Sequence, residues 1–213
     1  MNRTFFSISA LGLLALALSG CSESAPPAKK AEVAKKPIEP VSGQSGLFQM
    51  FQIARPWAPD VMILKLENGD IPEAKAQPGK YGLWRATFVS PSKKIKRDYS
   101  FAVADSDGGV IKGPRAGGEA PYTASPLVHP IPIQDVHVDT TAALETALKE
   151  IAKDKAMTKA LADNKDVPVQ YILDWTGTNP KPYWRVVFGA SVSQSLFSVL
   201  IDAGTGEFVK KMR

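Results

Sequence analysis

Hydrophobic positions fall into blocks of different period along this sequence. Residues 5–18 are almost continuously apolar, whereas residues 22–46 hold no aromatic and almost no large aliphatic side chain. From Leu47 the pattern becomes helical: Leu47, Phe48, Phe51 and Ala54 share one face, and Pro56 ends it. A β-rich run over 61–66 follows, and Asn68-Gly69 signals a turn into a long hairpin connection holding Pro72, Pro78 and Gly79. Strands are expected over 81–90, 97–104 and 110–112, with a basic tip at 92–97 and an Asp/Gly turn at 105–109. Asp105-Ser106-Asp107 starts like a calcium loop, but Gly109 and Val110 fall where an EF-hand wants an oxygen ligand and then Gly, so the stretch reads as a β-turn.

Residues 114–139 are rich in Pro and Gly and read as an extended connector. Thr140 or Thr141 then caps a helix whose apolar stripe is Leu144, Leu148 and Ile151. Asp154-Lys155 breaks that stripe, and Met157 and Leu161 resume it out of phase, which predicts a joint near 153–155 or two short helices. Strands are expected over 169–175, 183–190, 195–201 and 207–211, the last two joined by Asp202-Ala203-Gly204-Thr205-Gly206. Two of these strands share a motif one hundred residues apart: Trp84-Arg85-Ala86-Thr87-Phe88 and Trp184-Arg185-Val186-Val187-Phe188. Each is followed by a further strand, an Asp/Gly turn and a short apolar strand ending in Lys. The expectation is an α+β fold in which a helix packed on a small antiparallel sheet occurs twice, at 46–113 and 140–213.

The apolar block at 5–18 follows the positive start Met1-Asn2-Arg3 and ends in Leu18-Ser19-Gly20-Cys21, the layout of a secretory signal. It is short for a membrane span, which needs about 20 residues. Leu-Ser-Gly-Cys resembles the bacterial lipoprotein signal, in which the cysteine thiolate accepts a diacylglyceryl group and becomes the mature N-terminus. Cys21 is the only cysteine in the 213 residues, so no intrachain disulfide is available and this thiol is assigned to lipidation. The resemblance implies a membrane anchor on Cys21, a signal peptide at 1–20 and residence in the bacterial cell envelope. Ser22 in place of Asp fits the outer membrane better than the inner one, with the folded part in the periplasm or at the surface. Residues 21–45, with Pro26, Pro27, Pro37 and Pro40, are expected to be a disordered tether reaching roughly 75 Å when extended at about 3.1 Å per residue.

The net charge is +5; loss of residues 1–20 removes Arg3 and no acid, leaving +4. Lys29, Lys30, Lys35 and Lys36 carry much of that excess ahead of the folded part, which argues against a nucleic-acid partner. No Gly-x-Ser-x-Gly elbow and no Gly-Lys-Ser/Thr loop occurs. The two histidines, His129 and His137, lack metal-ligand spacing, so neither a metal nor a cofactor is expected. Asp174, Asp202 and Glu207 fall near strand ends, where acids are ordinarily solvated. Trp57, Trp84, Trp175 and Trp184 can form a ligand platform or pack in the sheet, the latter being the default.

Residues 197–209, Phe-Ser-Val-Leu-Ile-Asp-Ala-Gly-Thr-Gly-Glu-Phe-Val, follow a Tyr-Trp-Arg-Val strand and an upstream helix, and this ending resembles the PepSY domain. The match is good over 183–211 and extends to 140–211; residues 46–113 match in degenerate form, lacking Thr-Gly-Glu at the turn. The resemblance implies a helix packed on a small antiparallel sheet, and its signature residues are structural. PepSY domains occur in protease propeptides and envelope proteins, with a proposed inhibitory or chaperone-like role toward peptidases. Three readings remain open: a non-catalytic module binding an envelope protein or peptide, a peptidase inhibitor or modulator, and a small-ligand- or metal-binding lipoprotein. On the first, the closing strand with Phe208, Val209 and Lys210 is the candidate contact, because an open sheet edge accepts an extended peptide.

Overall fold

The computed structural model describes residues 37–212. The signal segment, Cys21 and most of the tether lie outside the described residues. Strand β1 (Val41–Ser42) leads into α1 (Gly43–Ala54), whose N-cap is Ser42. The buried face of α1 is Gly43, Gly46, Leu47, Met50 and Ala54, while Phe48 is 55% exposed and Phe51 half-buried. The expected stripe is thus rotated. The cause is Trp84, whose indole lies against the helix: a Cβ on Gly46 would sit 2.6 Å from its ring, so only glycine fits there.

After α1 come β2 (Met62–Gly69), β3 (Lys80–Tyr81), β4 (Leu83–Ser90), β5 (Ile95–Ala102) and β6 (Gly113–Pro121). A 3-10 turn (Ile133–Asp135) precedes α2 (Thr140–Ala152) and α3 (Lys155–Asp163), which meet at the expected joint near 153–155. Then follow β7 (Val169–Asp174), β8 (Tyr183–Gly189), β9 (Ser195–Asp202) and β10 (Phe208–Met212). Eight of these strands form one antiparallel sheet in the order β10-β9-β8-β7-β2-β4-β5-β6, and β1 pairs with β3 apart from it. The fold is α+β with a large antiparallel sheet.

Three expectations are corrected here. Residues 110–112 are not a strand: Ser106 and Val110 close a tight turn through Gly108 and Gly109, both at positive φ, and the backbone then enters β6. Strand β6 lies in the stretch expected to be connector. Its Pro114 and Pro121 conceal it in the sequence, yet they are tolerated because β6 is an edge strand. Asn68-Gly69 is not a turn either; both residues extend β2, opposite Trp84 and Leu83. Asn68 spends its side chain across the sheet, Oδ1 accepting the Tyr171 backbone N–H at 2.7 Å.

Strands β2 and β7 form the middle of the sheet and share only three residue pairs, Lys65↔Asp174, Leu66↔Leu173 and Glu67↔Ile172. Beyond them the two strands diverge, and the gaps are filled by Ile131, paired with Ile63, and by the Asn68 side chain. Helix α1 packs on β4, β5 and β6, and α2 on β8, β9 and β10. One hydrophobic cluster runs beneath both, with Trp84, Phe88, Leu66, Leu173, Trp184 and Val199 buried in it. The helix N-termini meet at its centre. Asp139 Oδ1 accepts N–H bonds from Thr140 at 2.7 Å and Gln44 at 2.9 Å, so one carboxylate caps both helices. Thr140 Oγ1 accepts from Gly43 N–H at 2.8 Å and donates to Gly79 O at 2.6 Å.

Candidate functional site: the helix-free face of the sheet

Side chains alternate across a strand, so the Trp-Arg pairs fix the chemistry of both sheet faces. Trp84 and Trp184 point under the helices and are fully buried, each indole N–H donating to a carbonyl just before a helix cap: Val41 O at 3.0 Å and Val138 O at 2.7 Å. Arg85 and Arg185 therefore project from the opposite face. Across the sheet Arg85 stands opposite Ser100 of β5 and Glu67 of β2, and Ser100 in turn opposite Arg115 of β6. In the other half Arg185 stands opposite Ile172 of β7 and Leu200 of β9, with Lys210 of β10 beyond. One register row thus carries four cations and a single acid, Glu67.

The first half of this face holds a cleft of about 330 Å³ lined by Lys65, Glu67, Arg85, Thr87, Asp98 and Ser100, with Gly117 of the β6 bulge beside them. Its acids are already engaged. Lys65 Nζ lies 2.5 Å from Glu67, and Thr87 Oγ1 donates to Asp98 Oδ1 at 2.6 Å. Arg85 is exposed and makes no ion pair among the described residues. One end of the face is closed: Ile71 and Ala74 fold over Leu83 and Ala102 as a small second cluster.

In the other half Arg185 is half-buried, its Nε donating to Ser198 Oγ at 3.2 Å. Asp174, Tyr183 and Asp202 form the neighbouring row. Burial pushes the Asp174 carboxyl above the ordinary range, against the opposing pull of the Tyr183 hydroxyl, Arg185 and Lys65. Burial also works against ionised Asp202, but backbone N–H bonds from Thr205 at 2.9 Å and Gly204 at 2.8 Å, with Lys181, hold its carboxyl below the ordinary value. Asp202 is thereby committed to shaping its turn. Glu207 lies on the far side of that turn, where it faces Thr205.

Phe208, Val209 and Lys210 lie in β10, an edge of the sheet. Phe208 is half-buried against the core. Val209 occupies a bulge, is 42% exposed and lines a cavity of about 200 Å³ with Pro180, Pro182 and Tyr183. Lys210 is exposed on the helix-free face, whereas Lys211 is held on the helix side by Asp154 at 2.8 Å. The opposite edge, β6, is blunted by two prolines and its own bulge.

The remaining candidates disperse. His129 packs against Trp175 with ring centroids 5.0 Å apart and the planes tilted by 48°, and His137 sits beside the 202–205 turn. Among the described residues no group of three or more His, Cys, Asp or Glu is placed to hold a metal ion. The tryptophans do not form a platform: Trp84 and Trp184 are core, Trp57 bonds Glu119 at 2.8 Å, and Trp175 bonds Asn179 O at 2.8 Å. The basic tip is partly engaged, Lys93 Nζ donating to Trp57 O at 2.6 Å and Arg97 Nε to Gly117 O at 2.9 Å. Among the described residues no helix is long and apolar enough to cross a membrane.

Sequence reasoning misses the cleft, because it is assembled from four strands. The available signal is Trp-Arg itself, which on any strand with a buried Trp sends the Arg to the other face. No protein-family model matches this protein, and comparison with curated proteins and with solved structures returns no match.

Proposed function

We propose that this protein is a lipid-anchored envelope protein that binds another envelope protein or a peptide and turns over no substrate. The helix-free face of the sheet, continued onto the β10 edge through Lys210, is the contact surface. The observation that carries this reading is the face itself: it holds an open cleft containing a cation without an ionic partner among the described residues, and the cleft's own acids, Glu67 and Asp98, are engaged by Lys65 and Thr87. The lipid on Cys21 and a tether of about 25 residues would let that face meet a partner some distance from the membrane.

The reading extends to the origin of the fold. Two PepSY-like units side by side would account for the mirrored strand order about the β2–β7 pair. They would also account for two tryptophans that hydrogen-bond at matching places before their helices.

The test is obstruction of one face at a time in the full-length lipidated protein. Ser100→Trp fills the cleft, while Leu148→Trp adds the same bulk to the exposed side of α2. After crosslinking in intact envelopes, Ser100→Trp should lose the captured partner and Leu148→Trp should keep it. Equal capture by both folded variants would defeat the assignment of this face, and a hydrolytic activity abolished by Asp202→Asn would defeat the non-catalytic reading.

A further inference from the structure

The two halves of the sheet supply an internal comparison. The same Trp-Arg pair occupies the second strand of each four-strand run, and the two arginines are treated differently. Arg185 is half-buried and bonded to Ser198, beside Asp174. Its guanidinium has no ion pair among the described residues either, but it is half-buried and its Nε is spent on Ser198, so it supports the strand it stands on. Arg85 has no such support. Its neighbour across the sheet is Ser100, whose hydroxyl has no hydrogen bond among the described residues, and the nearby acids Glu67 and Asp98 are held by Lys65 and Thr87. A planar, five-donor fork is left facing a cleft of about 330 Å³.

We propose that the Arg85 cleft is a carboxylate-binding subsite, and that the group it receives is a carboxylate carried on an extended peptide segment of the partner. The charge of the lining selects this class. Lys65 and Arg85 are balanced by Glu67 and Asp98, so the cleft as a whole is neutral. A doubly charged phosphate would face both acids with only one uncommitted cation. A carboxylate carries a single charge and matches the guanidinium fork with two parallel N–H···O bonds. The remaining acceptor capacity of Glu67 and Asp98 suits the backbone N–H groups of a peptide, which a small free carboxylic acid does not offer. Two sources share this chemistry, a polypeptide's C-terminal carboxylate and an Asp or Glu side chain. The inference rests on the proposed function of the helix-free face and names what that face recognises.

The experiment uses the full-length protein in detergent, followed by NMR of the arginine Nε–H signals and backbone amides. Three probes are titrated to millimolar concentration: acetylated tetra-alanine with a free C-terminus, the same peptide as its C-terminal amide, and an acetylated, amidated alanine peptide with one internal Glu. The Arg85 Nε–H signal should move with the free acid, the Glu peptide or both, and stay with the plain amide, while the Arg185 signal stays with all three. The free acid and the Glu peptide separate terminal from side-chain carboxylates. Arg85→Ala should weaken binding at least about tenfold, the order expected for losing a charged hydrogen-bonded partner, and Arg85→Lys should recover only part of it. Equal binding of the amide, no movement of Arg85 with any probe, or undiminished binding by a folded Arg85→Ala protein would overturn the inference. If the probes fail while Ser100→Trp still abolishes partner capture, the face remains a contact surface and the carboxylate assignment alone falls.

Discussion

At the residue scale, the side chains most legible in the sequence are those bound by alternation. A Trp-Arg-x-x-Phe strand with a buried Trp has its Phe buried and its Arg on the other face, and both copies obey this. Phe48 departs from its expected place because helical spacing alone does not tell which of two apolar stripes is used; the indole of Trp84 decides it by demanding Gly46, and the Thr140 methyl with both tryptophans leaves room only for Gly43. Two carboxyls make opposite statements about pH. Asp60 is held down to about 2 by the Ser90 hydroxyl at 2.6 Å and the Ser92 N–H at 2.8 Å. Its stabilisation is complete above the unfolded carboxyl's ordinary value of 3.8 and is lost as pH falls toward 2. Asp174 is raised by burial, so its cost to stability grows as pH climbs from 3.8 through its folded value. Thermal melts should show Asp60→Asn removing part of the acid-limb slope. Asp174→Asn should melt higher than the parent near neutral pH and lose that advantage in acid; a variant that melts lower at neutral pH would contradict the assignment.

At the element scale, the second half is nearly readable and the first half less so. Strands β7 to β10 and the α2–α3 joint are bounded by turns with strong local chemistry, Asp202 to Gly206 above all. In the first half the same local rules mislead. Asn68-Gly69 looks like a turn, but Asn68 bonds a strand more than a hundred residues away, which no local window contains. Strand β6 is hidden by prolines that only its edge position permits. The meeting of the helix N-termini is invisible for the same reason, since Asp139 caps its own helix and also reaches Gln44 of α1. Loss of an ordinary cap costs about 1 kcal/mol. Asp139→Ala removes a bond from each helix, so urea denaturation should report a loss of about 2 kcal/mol, twice the single-cap cost, and Asp139→Asn should retain most of the stability. A loss in Asp139→Ala no larger than the single-cap cost of about 1 kcal/mol would show that the double role carries no weight.

At the scale of the whole molecule, the two halves are joined through a shared core more than through backbone pairing. Three residue pairs connect β2 and β7, yet Leu66, Leu173, Trp84 and Trp184 lie in one cluster, and Gly43 of α1 fits between both tryptophans and Thr140. Cleavage between β6 and α2 should therefore yield two pieces that each lack dispersed NMR spectra and fold only when mixed. An independently folded second half would show that the core is divisible. The candidate site belongs to this scale as well. Arg85, Glu67 and Ser100 become neighbours only once three strands are in register, so the cleft lies beyond the reach of the sequence.

The central proposal is that the helix-free face is a contact surface for an envelope partner, and site-specific photo-crosslinking tests it most directly. A photoreactive residue is placed in the full-length protein at Thr87 or Arg115 on that face, and at Glu145 or Lys149 on the outer side of α2. On illumination of intact envelopes, the first two positions should give the same discrete adduct and the helix positions none. Adducts formed from α2 and absent from Thr87 and Arg115 would contradict the account.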